Sequence, residues 1–302
     1  MPNVAFVFPG QGSQFTGMGK ELYDRSETAR ELFLRANKIL GFDIASIMFE
    51  GSEEDLKQTK VTQPAIFIHS VVFFSLIENL SPQAVAGHSL GEFSALVAAR
   101  VLNFDEALKL VQVRAMAMQH ACELQPSSMA AVLGYQSEAQ VEQICSSIEG
   151  DVVVPANYNA PSQLVISGTV SGIDKAIELL RQAGVKRVVK LPVGGAFHSP
   201  LMEPARRELQ QHIESLNFST PVCPVYQNVC ARAVNDASSI KQNLIQQLTA
   251  PVKWTQTILQ MQADGFNTFY EMDPGNVLSG LIKKIDASLT CLKPKVLPPE
   301  NV

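Results

Sequence analysis

The sequence predicts an α/β protein: a doubly wound scaffold on a parallel sheet, with a small βαββαβ unit of the ferredoxin-like kind inserted in mid-chain. Three observations lead there. Val4 to Phe8 is a compact apolar run that reads as a buried strand. Gly87-His88-Ser89-Leu90-Gly91 sits where a second apolar run, Ala84 to Ala86, meets a helix-forming stretch, Glu92 to Val101. Between about Ser128 and Val193 the order of elements changes, and strand and helix signals of the first kind resume after His198.

The first strand breaks into Pro9-Gly10-Gln11-Gly12-Ser13-Gln14, a polar loop. Gly10-x-Gly12 is followed by Phe15 where a dinucleotide fingerprint needs glycine, and no Walker lysine is present, so the loop does not read as a nucleotide-binding one. Helical patterns run from about Lys20 to Leu80, including the very apolar Ala65 to Ile77, and another helix is expected from Asp105 to Cys122. In the mid-chain unit the expected order is strand Met129 to Leu133, helix Ser137 to Ile148, strands Val152 to Ala156 and Leu164 to Ser167, helix Ile173 to Ala183 and strand Arg187 to Leu191. Beyond it lie Pro204 to Leu216, Trp254 to Met261 and Thr268 to Met272, and the proline-rich end, Pro294 to Val302, reads as a frayed tail. A small domain inserted into a larger one places a cleft between them.

Composition narrows the function. With 302 residues, 46% hydrophobic and 18% charged, the chain can bury a large core and is not disordered. A formal net charge of −5 gives no global attraction to nucleic acid or an anionic membrane. No apolar run reaches a membrane span, and Met1-Pro2-Asn3-Val4 lacks the basic and apolar regions of a signal peptide, so a cytoplasmic location is expected. Five widely spaced cysteines without a C-x-x-C pattern argue against disulfides and structural zinc.

The pattern G-x-S-x-G is that of a nucleophile elbow, in which small flanking residues let the chain turn sharply from strand to helix, exposing the serine Oγ and freeing the next amide for an oxyanion. A serine between glycines can equally be a plain helix N-cap. If Ser89 is a nucleophile it needs a base, and five histidines are available. His69 and His120 lie in helical patterns and read as packing residues, His212 sits on an amphipathic helix, and His88 diverges from its neighbour on the elbow. His198, on a loop leaving the inserted unit, could overhang the cleft or be an ordinary polar loop residue. On the Asp105 helix the apolar stripe Ala107, Leu110, Val111, Met118, Ala121 includes position 114, which is arginine. A guanidinium there is either paired internally or binds an anionic ligand.

Six segments in this order resemble the malonyl-CoA:acyl carrier protein transacylase family: Pro9-Gly10-Gln11-Gly12-Ser13-Gln14, Thr62-Gln63-Pro64-Ala65, Gly87-His88-Ser89-Leu90-Gly91-Glu92, Arg114 with Met118, Asn157-Tyr158-Asn159-Ala160-Pro161, and Gly195-Ala196-Phe197-His198-Ser199-Pro200. The resemblance spans nearly the whole chain. It implies a large α/β-hydrolase-like domain, residues 1–126 and 194–302, and an inserted ferredoxin-like subdomain, residues 127–193. It further implies Ser89 as nucleophile, His198 as base, the Gln11 and Leu90 amides as oxyanion hole, and Arg114 as the clamp on a malonyl carboxylate. Met118 and Phe197 would line the substrate pocket, the latter beside the substrate's α-carbon, and the main-chain carbonyl near Gln247 would orient the imidazole in place of an acid. Gln63 and Asn159 would brace the site or serve as turn and cap residues. Asp273 to Leu278 and Trp254 read as structural.

The implied reaction is ping-pong transfer from malonyl-CoA to the phosphopantetheine thiol of acyl carrier protein, with no metal or redox cofactor; the sequence leaves the oligomeric state open, with a monomer as the default. Lys186, Arg187, Lys190, Lys283 and Lys284 are candidate docking charges for an acidic carrier, or simply solvated faces. Two rivals stand beside this reading. An α/β-hydrolase esterase or thioesterase shares the elbow but normally has its histidine late in the chain, whereas about a hundred residues follow His198 here. A carrier-binding scaffold without activity would not need both Ser89 and His198.

Overall fold

A computed structural model describes residues 3–296. Of the expected tail, residues 297–302 lie outside the described residues, and its beginning is not frayed: Pro294 is buried and Val296 packs against the core. The strands are β1 (Val4–Phe8), β2 (Ala84–Gly87), β3 (Ser127–Leu133), β4 (Val153–Ala160), β5 (Gln163–Thr169), β6 (Arg187–Lys190), β7 (Val225–Gln227), β8 (Arg232–Val234), β9 (Thr268–Glu271) and β10 (Thr290–Leu292).

They form two sheets. The larger has the order β10-β9-β1-β2-β7-β8 and is parallel except for β8, which runs antiparallel to β7. Its central strands are near-continuous apolar runs because both faces are covered by helices. The alternation of a strand then divides them between two cores: Phe6, Phe8 and Val85 face one, with the helices Thr59–Ser75 and Phe104–Leu124, while Ala5, Val7, Ala84 and Ala86 face another, around Trp254, Phe269 and Ile282.

The smaller sheet has the order β4-β5-β3-β6 and is antiparallel throughout. The amphipathic helices Glu138–Ser146 and Val170–Gln182 bury Val141, Cys145, Ile173, Ala176 and Leu180 against it. This sheet is stitched to the rest of the molecule at its β4 edge, where Tyr158 N donates to Val252 O at 2.9 Å and Val252 N to Ala156 O at 2.8 Å. A second stitch lies beyond β6, where Ala196 N donates to Ser127 Oγ and Ser167 Oγ to Phe197 O. The chain is therefore a mixed α/β protein with one mainly parallel and one antiparallel sheet.

Candidate active site

The elbow exists because two positions admit no side chain. A Cβ on Gly87 would lie 1.9 Å from the Gly91 carbonyl carbon, and one on Gly91 would lie 2.0 Å from Phe8 O. With both clear, β2 turns directly into the helix Gly91–Ala98, and Ser89 is held at φ 51°, a conformation rare for a non-glycine residue. Asn228, just past β7, clamps the turn from both sides: its Nδ2 donates to Gly87 O at 2.6 Å and its Oδ1 accepts from Ser89 N at 2.7 Å.

His198 is also at positive φ, 58°, between the tethered Phe197 carbonyl and Ser199, whose hydroxyl donates to Ala196 O at 2.6 Å and accepts from Leu201 N. That places its Nε2 2.7 Å from Ser89 Oγ. Its Nδ1 lies 3.0 Å from Gln247 O and 3.2 Å from Ala250 O, so two main-chain carbonyls fix the tautomer with the proton on Nδ1 and leave Nε2 as an acceptor. Burial, reinforced by the Arg114 charge, pushes the imidazole pKa down to about 3, so the ring is neutral.

Arg114 is fully buried and makes no recorded ion pair among the described residues. Of the two alternatives, internal ion pairing is not what these residues show. Its NH1 donates to Gln63 Oε1 at 2.6 Å, and its NH2 donates to Ser89 Oγ at 2.9 Å and Gln247 Oε1 at 3.3 Å, while Nε has no partner among the described residues. Neutral amide oxygens thus hold the fork beside the serine without neutralising it. The guanidinium also lies 5.7 Å over the Phe93 ring. Gln63 is held in turn by Met118, with Nε2 3.3 Å from Sδ.

The remaining expected residues fall as follows. The Gln11 and Leu90 amides donate to no protein group among the described residues, and the Gln11 loop lies against the elbow, since a Cβ on Gly10 would meet His88 O. Asn159 braces the elbow: its Oδ1 is 2.8 Å from His88 Nε2, and His88 rests edge-on against Trp254. Burial lowers the His88 pKa as well. Phe197 packs against both the large core and the inner face of the small sheet. His120, expected to pack inside its helix, is exposed instead, because its position falls off the apolar stripe. Lys190 pairs with Asp174 and Lys284 bonds Gln163. Three contributions were not foreseen: the Asn228 clamp, the side chain of Gln247, and Glu92, a buried carboxylate bonded to Asn228 N and, at 2.5 Å, to Gln247 Nε2. Glu92 stood inside the elbow motif, yet nothing in the motif tells a buried contact from an ordinary acidic first turn.

Residues 5–290 match the model of the acyl transferase domain. The chain belongs to the acyl transferase family. This acyl transferase is 41% identical to the malonyl CoA-acyl carrier protein transacylase of Bacillus subtilis, over 100% of its own length and 96% of that protein. Among solved structures it resembles the corresponding enzyme of Coxiella burnetii, with a TM-score of 0.93 and 40% identity over 97% of this chain and 93% of that one. A malonyl-transacylase solved in complex with a type II polyketide acyl carrier protein matches with a TM-score of 0.92 and 36% identity, over 96% and 94% of the two chains. No helix among the described residues is long and apolar enough to cross a membrane.

Proposed function

We propose that this chain transfers a malonyl group from malonyl-CoA to the phosphopantetheine thiol of acyl carrier protein through a malonyl-Ser89 ester. One observation carries the reading: Ser89 Oγ lies between a neutral imidazole nitrogen at 2.7 Å and an unneutralised guanidinium nitrogen at 2.9 Å. A nucleophile beside a base is common to hydrolases. A nucleophile beside a base and a buried anion binder selects an acyl group that carries its own carboxylate.

In the first half-reaction Ser89 Oγ attacks the thioester carbonyl as His198 Nε2 takes its proton. The oxyanion develops toward the free Gln11 and Leu90 amides, and collapse breaks the C–S bond, with His198 returning the proton to the coenzyme A thiolate. In the second half-reaction His198 takes the proton of the carrier thiol, whose sulfur attacks the ester; the C–O bond breaks and Ser89 recovers the proton. No step draws on a metal or redox cofactor. The Gln247 carbonyl orients the ring where a triad acid would otherwise add a negative charge near the bound carboxylate. Met118 and Phe197 wall the acyl pocket, and Gln63 and Asn159 brace it.

We read the small sheet with its two helices as an inserted ferredoxin-like subdomain, residues 127–193. Its strand order and antiparallel pairing support this. The surrounding described residues, 3–126 and 194–296, form an α/β-hydrolase-like domain, a reading supported by the elbow at the end of a central parallel strand. The test is intact-mass analysis after mixing with malonyl-CoA. One malonyl group should appear on Ser89, vanish in Ser89→Ala, and pass to added holo acyl carrier protein. Hydrolysis without transfer would favour the thioesterase reading, and an adduct on a cysteine would overturn the mechanism.

A further inference from the structure

Glu92 is 1% exposed, and both its oxygens are engaged with segments distant in sequence. One accepts from the main-chain N–H of Asn228, the residue that clamps Gly87 and Ser89. The other accepts from Nε2 of Gln247, which also donates to Ser89 O at 2.9 Å. Gln247 in turn presents its main-chain carbonyl to His198 Nδ1 and its Oε1 to Arg114. We propose that Glu92 is a positioning residue: by tying Asn228 to Gln247 beneath the elbow, one carboxylate sets the alignment of Ser89 Oγ with His198 Nε2. The proposal rests on the reading of Ser89 and His198 as nucleophile and base.

Two further features favour this role over plain packing. A carboxylate in the first turn of a helix is stabilised at the surface by the helix dipole and has no need of burial. Here it is buried, burial drives its pKa up to about 7, and the Arg114 charge opposes that rise. Gln247 stands between the two charges, so the amide keeps Glu92 from consuming the Arg114 fork in a direct ion pair. Its amide is also fixed in sense, because Nε2 faces two acceptors and Oε1 faces a donor.

Glu92→Gln preserves shape but offers only one acceptor oxygen to two donors, so its new NH2 must oppose either Asn228 N or Gln247 Nε2. Leaving one buried donor unmet should misalign one half of the pair. The experiment follows sulfonylation of Ser89 by phenylmethanesulfonyl fluoride, an uncharged reagent that needs the Ser–His pair but no carboxylate clamp, alongside malonyl loading and a thermal melt. The expected result in Glu92→Gln is a fall of about 10- to 100-fold in both reactions per folded molecule, with the KM for malonyl-CoA changed less than about 3-fold. Wild-type sulfonylation in the folded variant overturns the proposal, whether or not malonyl loading falls. Should Glu92→Gln fail to fold, Gln247→Leu and Asn228→Ala carry the test, and unchanged sulfonylation in both overturns it. A wild-type Ser89 inert to the reagent takes down the nucleophile assignment as well. Sulfonylation that slows in Glu92→Gln while wild type accepts no malonyl leaves the positioning role standing and refutes only the substrate.

Discussion

Arg114→Ala separates the acyl groups the site can accept. The side chain is fully buried, and its removal deprives Gln63 Oε1 and Gln247 Oε1 of donors held at 2.6 and 3.3 Å. In the loaded site it also leaves the malonyl carboxylate desolvated and unpaired. Breaking a buried charge pair from one side costs about 3–5 kcal/mol. At 1.36 kcal/mol per decade, malonyl loading of Ser89 should slow by about 100- to 5,000-fold. Acetyl-CoA brings no carboxylate, so its loading is spared the unpaired charge, loses the NH2 contact to Ser89 Oγ and the two amide contacts, and should stay within about 10-fold of wild type. Lysine at 114 should recover part of the malonyl rate, since a point charge lacks the planar fork. The assay is the time course of adduct mass on Ser89 with each thioester, with a melt to show that the variant is folded. Equal slowing of both thioesters, or an unfolded variant, would mean that Arg114 only supports the fold.

Three further outcomes follow from the geometry. Methylmalonyl-CoA should be a poor substrate, by about 1–3 kcal/mol in relative kcat/KM, and Phe197→Ser should narrow the gap; equal rates in wild type would remove Phe197 from the pocket wall. Gly91→Ala drives a Cβ into the Phe8 carbonyl, and because backbone yields less than a side chain, destabilisation should reach the top of the usual range of about 1–3 kcal/mol for overpacking, read as a lower Tm and slower loading. Stability should fall on acidification from pH 6.5 toward 5. His198 at about 3, His69 at about 4 and His88 are all depressed by burial, so the unfolded chain takes up protons there that the folded chain refuses. Glu92 and Glu271, both raised by burial, act in the opposite sense, losing stability as pH rises through their folded values, but the histidines outnumber them. A Tm that rises from pH 6.5 to 5 would contradict these assignments.

The long elements were legible because their periodicity extends over several turns or residues: the helix at 104–124, the elbow, and each strand and helix between 127 and 190 follow the sequence within a few positions. The three-residue strands β7, β8 and β10 carry no alternation to detect. Arg114 stood out as a charge on an apolar stripe; elimination among the histidines left His198 as a candidate, and only the resemblance gave it the role of base. What the sequence does not display is the second tier: Asn228, Glu92 and the Gln247 side chain meet only because β2, β7 and the turn after the helix Ala237–Gln246 converge, and their spacing in the chain carries no trace of that meeting.

The proposed nucleophile and base hang from different sheets. Ser89 ends β2 of the parallel sheet, whereas His198 hangs from the chain leaving β6, with the preceding carbonyl bound to β5 of the antiparallel one. The 2.7 Å bond between them therefore depends on how the two sheets seat against each other, and a misplacement of about 1 Å there can lower reactivity by about two orders of magnitude. Substitutions at Ser127 or Ser167, whose hydroxyls make the second stitch, should then slow loading although neither residue bonds Ser89, His198 or Arg114. If Ser89 and His198 act as proposed, the seam between the two sheets sets a mechanical tolerance on the chemistry.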